Sequence, residues 1–115
     1  MNLEIIINQL NLKVLAGKEN TGREVKGAYA SDLLSDVMGK AREGYVWITM
    51  QTHKNIIAVA SLKDIAAVII VNGGNPDEGT LVAAAAEGVV VLGTHEAAFS
   101  TCGKLYKILE RDAVV

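Results

Sequence analysis

Several absences bound this chain before any motif is read. Proline occurs once and cysteine once, as Cys102, among 115 residues. A lone cysteine cannot form an internal disulfide, which favours a reducing compartment and a cytoplasmic location. Aromatic residues are only 4% of the chain, so its apolar mass comes from Ala, Val, Ile and Leu. No apolar run reaches the roughly 18 residues that span a bilayer, and Met1-Asn2-Leu3-Glu4 has no basic segment of the kind that opens a secretion signal. Charge of one sign is also lacking. Eleven Lys and Arg stand against thirteen Asp and Glu, for a net charge of −2. That removes the basic field a general nucleic-acid binder needs.

Half of the residues are hydrophobic and 21% are charged, which excludes disorder. The length suits one domain over residues 1–115, too small for a complete nucleotide kinase or a two-domain dehydrogenase. The aliphatic composition points to an α/β domain, with a mainly parallel sheet and helices on both faces.

Periodicity supports that class. Leu3, Ile6, Ile7 and Leu10 form the stripe of a short helix, although Ile5-Ile6-Ile7 also reads as a strand. Short extended pieces follow at 13–15 and 25–29, separated by a polar loop at 17–22. Ser31 is placed to cap a helix whose first turn carries Asp32 and whose apolar face is Leu33, Leu34, Val37 and Met38. Residues 45–50 read as a strand, 54–62 as a helix and 67–71 as a buried strand. Asn75-Pro76-Asp77-Glu78 has the order of a helix start, with Asn at the cap and Pro at the first helical position. That helix runs through four alanines to Gly88. A strand at 89–92 and a last helix from about 94 to 110 complete the pattern, with Phe99, Cys102, Leu105, Tyr106 and Leu109 expected inward. Trp47 is expected in the core or an interface, Cys102 as an inert core thiol, and Asp32 and Asp36 one helical turn apart on a solvated face.

In a parallel sheet the strand-to-helix loops share one edge, where ligands of open α/β folds bind. Three such loops carry the candidate site residues: Thr52, His53 and Lys54; Asn72, Gly73, Gly74 and Asn75; and Thr94 and His95. Gly73-Gly74 either makes a tight connection or lets a ligand approach the backbone at a helix start. The two Thr-His pairs either cap helices and sit in solvent or bind a small anion, with Lys54 tilting the choice toward an anion. Two histidines without a third ligand are a weak metal signal. Phosphate-loop, Cys-x-x-Cys and Gly-x-Ser-x-Gly patterns are missing. An enzyme would have to build a phosphotransfer or hydrolase site from His53, His95 and a carboxylate. The residues assign no cofactor.

Taken in order, Leu12-Lys13-Val14-Leu15-Ala16-Gly17, Val25 to Leu34 (VKGAYASDLL), Ile69 to Gly74 (IIVNGG) and Val89 to Thr94 (VVVLGT) resemble the DRTGG domain. That domain is similar to the N-terminal domain of HPr kinase/phosphorylase, and it occurs in bacterial phosphotransacetylases and beside CBS domains. Gly73-Gly74 matches the two glycines of the name, and the Asp-Arg-Thr stretch falls on Thr52, His53 and Lys54. The resemblance implies a bacterial regulatory domain rather than a catalytic one, because the kinase's nucleotide loop lies in a domain this chain lacks. With that role the three loops suggest a small anionic metabolite or nucleotide as ligand, and a half-apolar chain suggests an exposed apolar patch and so a homodimer or a protein partner. Short stand-alone members resemble proteins encoded near hydrogenase and electron-transfer genes. That makes an assembly or hydrogenase-accessory role, with no small ligand, the alternative.

Overall fold

In a computed structural model, which describes residues 1–112, the chain forms one five-stranded sheet between two helical layers. In chain order the elements are α1 (Leu3–Gln9), β1 (Lys13–Ala16), β2 (Gly27–Ala30), α2 (Leu34–Lys40), β3 (Tyr45–Thr49), α3 (Asn55–Leu62), β4 (Ala67–Ile70), α4 (Glu78–Glu87), β5 (Val91–Gly93) and α5 (Ala98–Arg111). A short 3-10 turn, Lys18–Asn20, precedes β2. The strand order is β1-β5-β4-β3-β2. The pairs β2/β3, β3/β4 and β4/β5 are parallel, and β1 lies antiparallel against β5.

Strand residues alternate between two cores, as the period of two requires. Val46, Ile48, Ala67, Ile69 and Leu92 face α1 and α5, packing on Leu3, Ile6, Leu105, Ile108 and Leu109. Trp47, Val68, Ile70 and Val91 face α2, α3 and α4, packing on Val37, Ile56, Ile57, Ala60 and Ala84. The crossovers β2→β3→β4→β5 therefore use one face and step in one direction, and α1 and α5, the first and last helices, cover the other face.

Helix starts move from where the residue order places them. Ser31 does not cap α2. Its Oγ accepts from the Leu33 N–H at 3.1 Å, and α2 begins one residue later. Asp32 lies outside the helix, where its carboxylate accepts from the Thr49 hydroxyl and the Met50 amide, both at 2.7 Å. Asp32 and Asp36 are therefore not a helical pair. Asp36 instead accepts from the Tyr29 hydroxyl at 2.7 Å, and this bond is the main cause holding its carboxyl below the ordinary range. α4 is capped by Asp77 rather than Asn75, because the Asp77 carboxylate reaches the Thr80 N–H at 2.8 Å. α5 starts at Ala98, not near 94. Its buried residues are Thr101, Leu105, Ile108 and Leu109, whereas Phe99 and Tyr106 point outward. Cys102 is half-buried, and burial pushes its thiol up.

Trp47 is fully buried, and its indole N–H donates to the Ser31 carbonyl at 2.8 Å. Trp47→Ala would open a cavity and leave that carbonyl without its donor. Urea unfolding should show a loss of about 3–5 kcal/mol. A loss below about 1 kcal/mol would mean the core closes over the gap.

The Asp36–Tyr29 bond gives a pH dependence. A carboxyl depressed in the folded state contributes stability above its unfolded value, near 4, and loses it as pH falls through the folded value. The parent should exceed Asp36→Asn in urea midpoint at roughly pH 6, and the two should converge below about pH 4. A gap that widens in acid would reverse the assignment.

Candidate functional site

The edge formed by the carboxyl ends of β3, β4 and β5 carries all three candidate loops. The structure gathers two of them around one cleft of about 340 Å³. Gly73, Gly74 and Asn75 line one wall, Gly93, Thr94 and His95 another, and Lys13 and Leu15 of β1 the third. The sheet explains this position. The parallel strands never reverse their stepping order, so no crevice opens between them. The break comes at β5, where the antiparallel start of β1 meets the end of β5 and Lys13 pairs with Gly93. Lys13 and Leu15 are the site residues that motif reading missed. The signal was an isolated Lys in a short extended piece, uninformative until the strand's antiparallel neighbour is known.

The middle loop is held from within. Asn72 adopts φ 62 and Gly73 φ 69. Their amides donate to the carbonyls of Glu96 (2.7 Å) and Thr94 (2.9 Å), and the Gly74 amide donates to Val71 (3.1 Å). Asn72 is thereby a clasp between loops and does not line the cleft. The glycines are required by space as well as by φ. A Cβ on Gly73 would stand 3.0 Å from His95 Nδ1, and one on Gly74 would stand 2.8 Å from Ile70 Cγ2 and 3.3 Å from Thr52 Cγ2. The tight-connection reading of Gly73-Gly74 is therefore correct for the backbone. The helix-start reading is not, because α4 begins at Glu78 behind an Asp77 carboxylate.

What the cleft offers an anion comes from other groups. The amides of Asn75 and His95 have no hydrogen-bond partner among the described residues, and Lys13 makes no ion pair there. Among the described residues, no carboxylate lines the cleft. The nearest acid in sequence, Glu96, is engaged by Lys104 at 2.7 Å and by the Ser100 hydroxyl at 2.6 Å. Those bonds, Lys104 first, hold its carboxyl below the ordinary range. Thr94 does not cap α5, and its hydroxyl accepts from the Glu96 N–H at 3.2 Å.

The first loop faces elsewhere. The Thr52 carbonyl accepts from the buried Thr80 hydroxyl at 2.8 Å, which ties the loop to α4. His53 Nδ1 accepts from the Asn55 N–H at 3.1 Å and so serves the start of α3. His53 and Lys54 lie toward Asp77. Its carboxyl is held low mainly by the Thr80 amide and hydroxyl, with smaller electrostatic help from the His53 and Lys54 side chains. The two histidines share an edge but not a cleft. No group of three or more His, Cys, Asp or Glu among the described residues is arranged to hold a metal ion.

A structural likeness sets this geometry in context. Over 88% of its length the chain superposes, with a TM-score of 0.66, on the crystallised CBS and DRTGG domains of the regulatory region of a Clostridium perfringens pyrophosphatase. The fold is DRTGG-like. Sequence identity is 16%, and the match spans 44% of that crystallised regulatory-region chain, less than half its length. That structure was determined in complex with an activator, diadenosine tetraphosphate. No family model matches this sequence. No curated protein matches it either. The DRTGG-like likeness thus rests on shape, on a regulatory rather than a catalytic region. Among the described residues, no helix is long and apolar enough to cross a membrane.

The Gly74 contacts predict that Gly74→Ala overpacks against Ile70 and lowers stability by about 1–3 kcal/mol in urea unfolding with no ligand present. Unchanged stability would mean the loop yields and the glycine serves something other than packing.

Proposed function

We propose that this chain is a non-catalytic regulatory module of DRTGG type, related to the N-terminal domain of HPr kinase/phosphorylase. It binds a small anionic metabolite or nucleotide at the carboxyl edge and passes that event to a protein partner or to its own dimer, in the cytoplasm of a bacterium, in metabolic or redox control. One observation carries the reading. Lys13, Asn75 and His95 line a cleft of about 340 Å³ that no carboxylate of the described residues lines, and the Asn75 and His95 amides have no partner among those residues. Unpartnered N–H donors and a cation without a counter-ion suit a phosphate or carboxylate group. The nucleotide activator of the structural neighbour's regulatory region points to the same ligand class.

Within this reading Gly73, Gly74, Asn75, Thr94 and His95 contact the ligand. Thr52, His53, Lys54 and Asn72 act from behind, by shaping the loops and supplying positive potential. Lys13 joins the site. The alternative, an assembly module with no small ligand, is supported by the exposed aromatic residues of α5.

The test is calorimetry and thermal shift on the purified chain with orthophosphate, ATP, diadenosine tetraphosphate and dicarboxylates. At least one should raise the melting temperature. Lys13→Ala and His95→Ala should each weaken its binding about tenfold, which corresponds to about 1.4 kcal/mol. No stabilisation by any of them, or full affinity in both variants, would remove the cleft from consideration.

A further inference from the structure

β1 breaks its register where it passes the cleft. Val14 stands opposite Leu92 and Ala16 opposite Val91, which leaves Leu15 as an extra residue with no partner on β5. A bulge of this kind re-aims a side chain. Val14 packs toward α1 and α5, whereas Leu15 and Ala16 both pack on the other face. Leu15 is thereby laid over Gly93, where a Cβ would stand 3.1 Å from Leu15 Cδ1. Gly93 has no positive φ, so this glycine answers a demand for space alone. Leu15 is only half-buried. The cleft therefore keeps an apolar wall open to water, beside the cation of Lys13.

We infer that the cleft takes one nucleoside phosphate, and that Leu15 is the residue that selects it over inorganic anions and small dicarboxylates. The inference rests on the anion-binding reading of the cleft and narrows its ligand class. Lys13 and Leu15 flank Val14, so both project from one face of β1, with about 7 Å between their Cα atoms. A ligand that engages both carries a charged head and an apolar body about that far apart. Inorganic phosphate has no such body, and a small dicarboxylate places charge where Leu15 offers none. A nucleoside phosphate has both parts. Its base presents a flat face that covers Leu15 and removes apolar surface from water. The side-chain-free backbone at Gly73 and Gly74 lets a planar group come close. The polar edge of the base and the ribose hydroxyls need hydrogen-bond partners, and Asn75 and Thr94 stand on the same lining. The cleft volume of about 340 Å³ is at the small end of the roughly 300–1,000 Å³ of small-molecule sites, which suits a single nucleoside. The two acids nearest in sequence do not oppose the head group, because Asp77 is turned to Thr80 and Glu96 to Lys104.

Calorimetry on the full chain compares pyrophosphate with the diphosphates of adenosine, guanosine, cytidine and uridine, which share a diphosphate head and differ by the nucleoside. At least one nucleoside diphosphate should bind at least tenfold more tightly than pyrophosphate. Leu15→Ala should remove about fivefold or more of that advantage and leave pyrophosphate binding as it is in the parent, and Leu15→Met should restore it. Lys13→Ala should weaken both kinds of ligand together. Circular dichroism and melting of each variant check the fold, and the parent's discrimination is read without any variant. Pyrophosphate binding as tightly as all four nucleotides overturns this inference and leaves the anion site standing. So does a nucleotide preference that Leu15→Ala, folded, does not reduce. No binding by any of the five ligands overturns the anion site and this inference together.

Discussion

Seven consecutive residues, Ile65 to Val71, are each no more than 4% exposed, and the rest of the structure depends on that burial. A strand with both faces dry must be covered on both sides, so helices are needed above and below it. α3 and α4 supply one side, and α1 and α5 the other. With β4 so enclosed, its two ends are the places where the chain must return to water. At the carboxyl end the return is made by Asn72-Gly73-Gly74, whose amides are handed to the neighbouring loop. The cleft beside it follows from burying β4 as completely as this sequence does.

Much of the architecture was legible in the residues, and the misses have physical causes. The strands β3, β4 and β5 and the helices between them announce themselves by unbroken aliphatic runs and by period. Helix starts were less legible because several polar residues competed for each cap. At α4 both Asn75 and Asp77 qualify, and Asp77 prevails because its carboxylate accepts from the amide of the buried Thr80, whose hydroxyl is shared between Asp77 and the Thr52 carbonyl. At α2, Ser31 and Asp32 are drawn away, Ser31 to a local turn and Asp32 to the end of β3. The inward reading of Phe99 and Tyr106 failed because α5 is apolar on more than one face, and hydrophobicity alone does not say which face meets the sheet.

The candidate site divides along the same line. Gly73, Gly74, Asn75, Thr94 and His95 were readable because loops after parallel strands share an edge. Lys13 was not, because only long-range antiparallel pairing carries the start of β1 to the end of β5. The glycine pair shows how one motif can answer two demands. Steric contacts with Ile70 and His95 account for both glycines, and the space left beside them is what a ligand would use. Glu96 follows the same pattern: its tie to Lys104 orders the start of α5 and also keeps a negative charge out of the cleft.

The burial of Trp47 has a practical corollary. It is the one tryptophan of the chain, held in the dry layer beneath α2 and α3 with its N–H fixed on Ser31. Its emission is therefore an unmixed optical report on that layer, free of any second indole. The Ser31–Leu33 bend that it anchors leads directly to Asp32 and the exit of β3. A disturbance at the carboxyl edge thus has a short hydrogen-bonded route to the chain's own fluorophore.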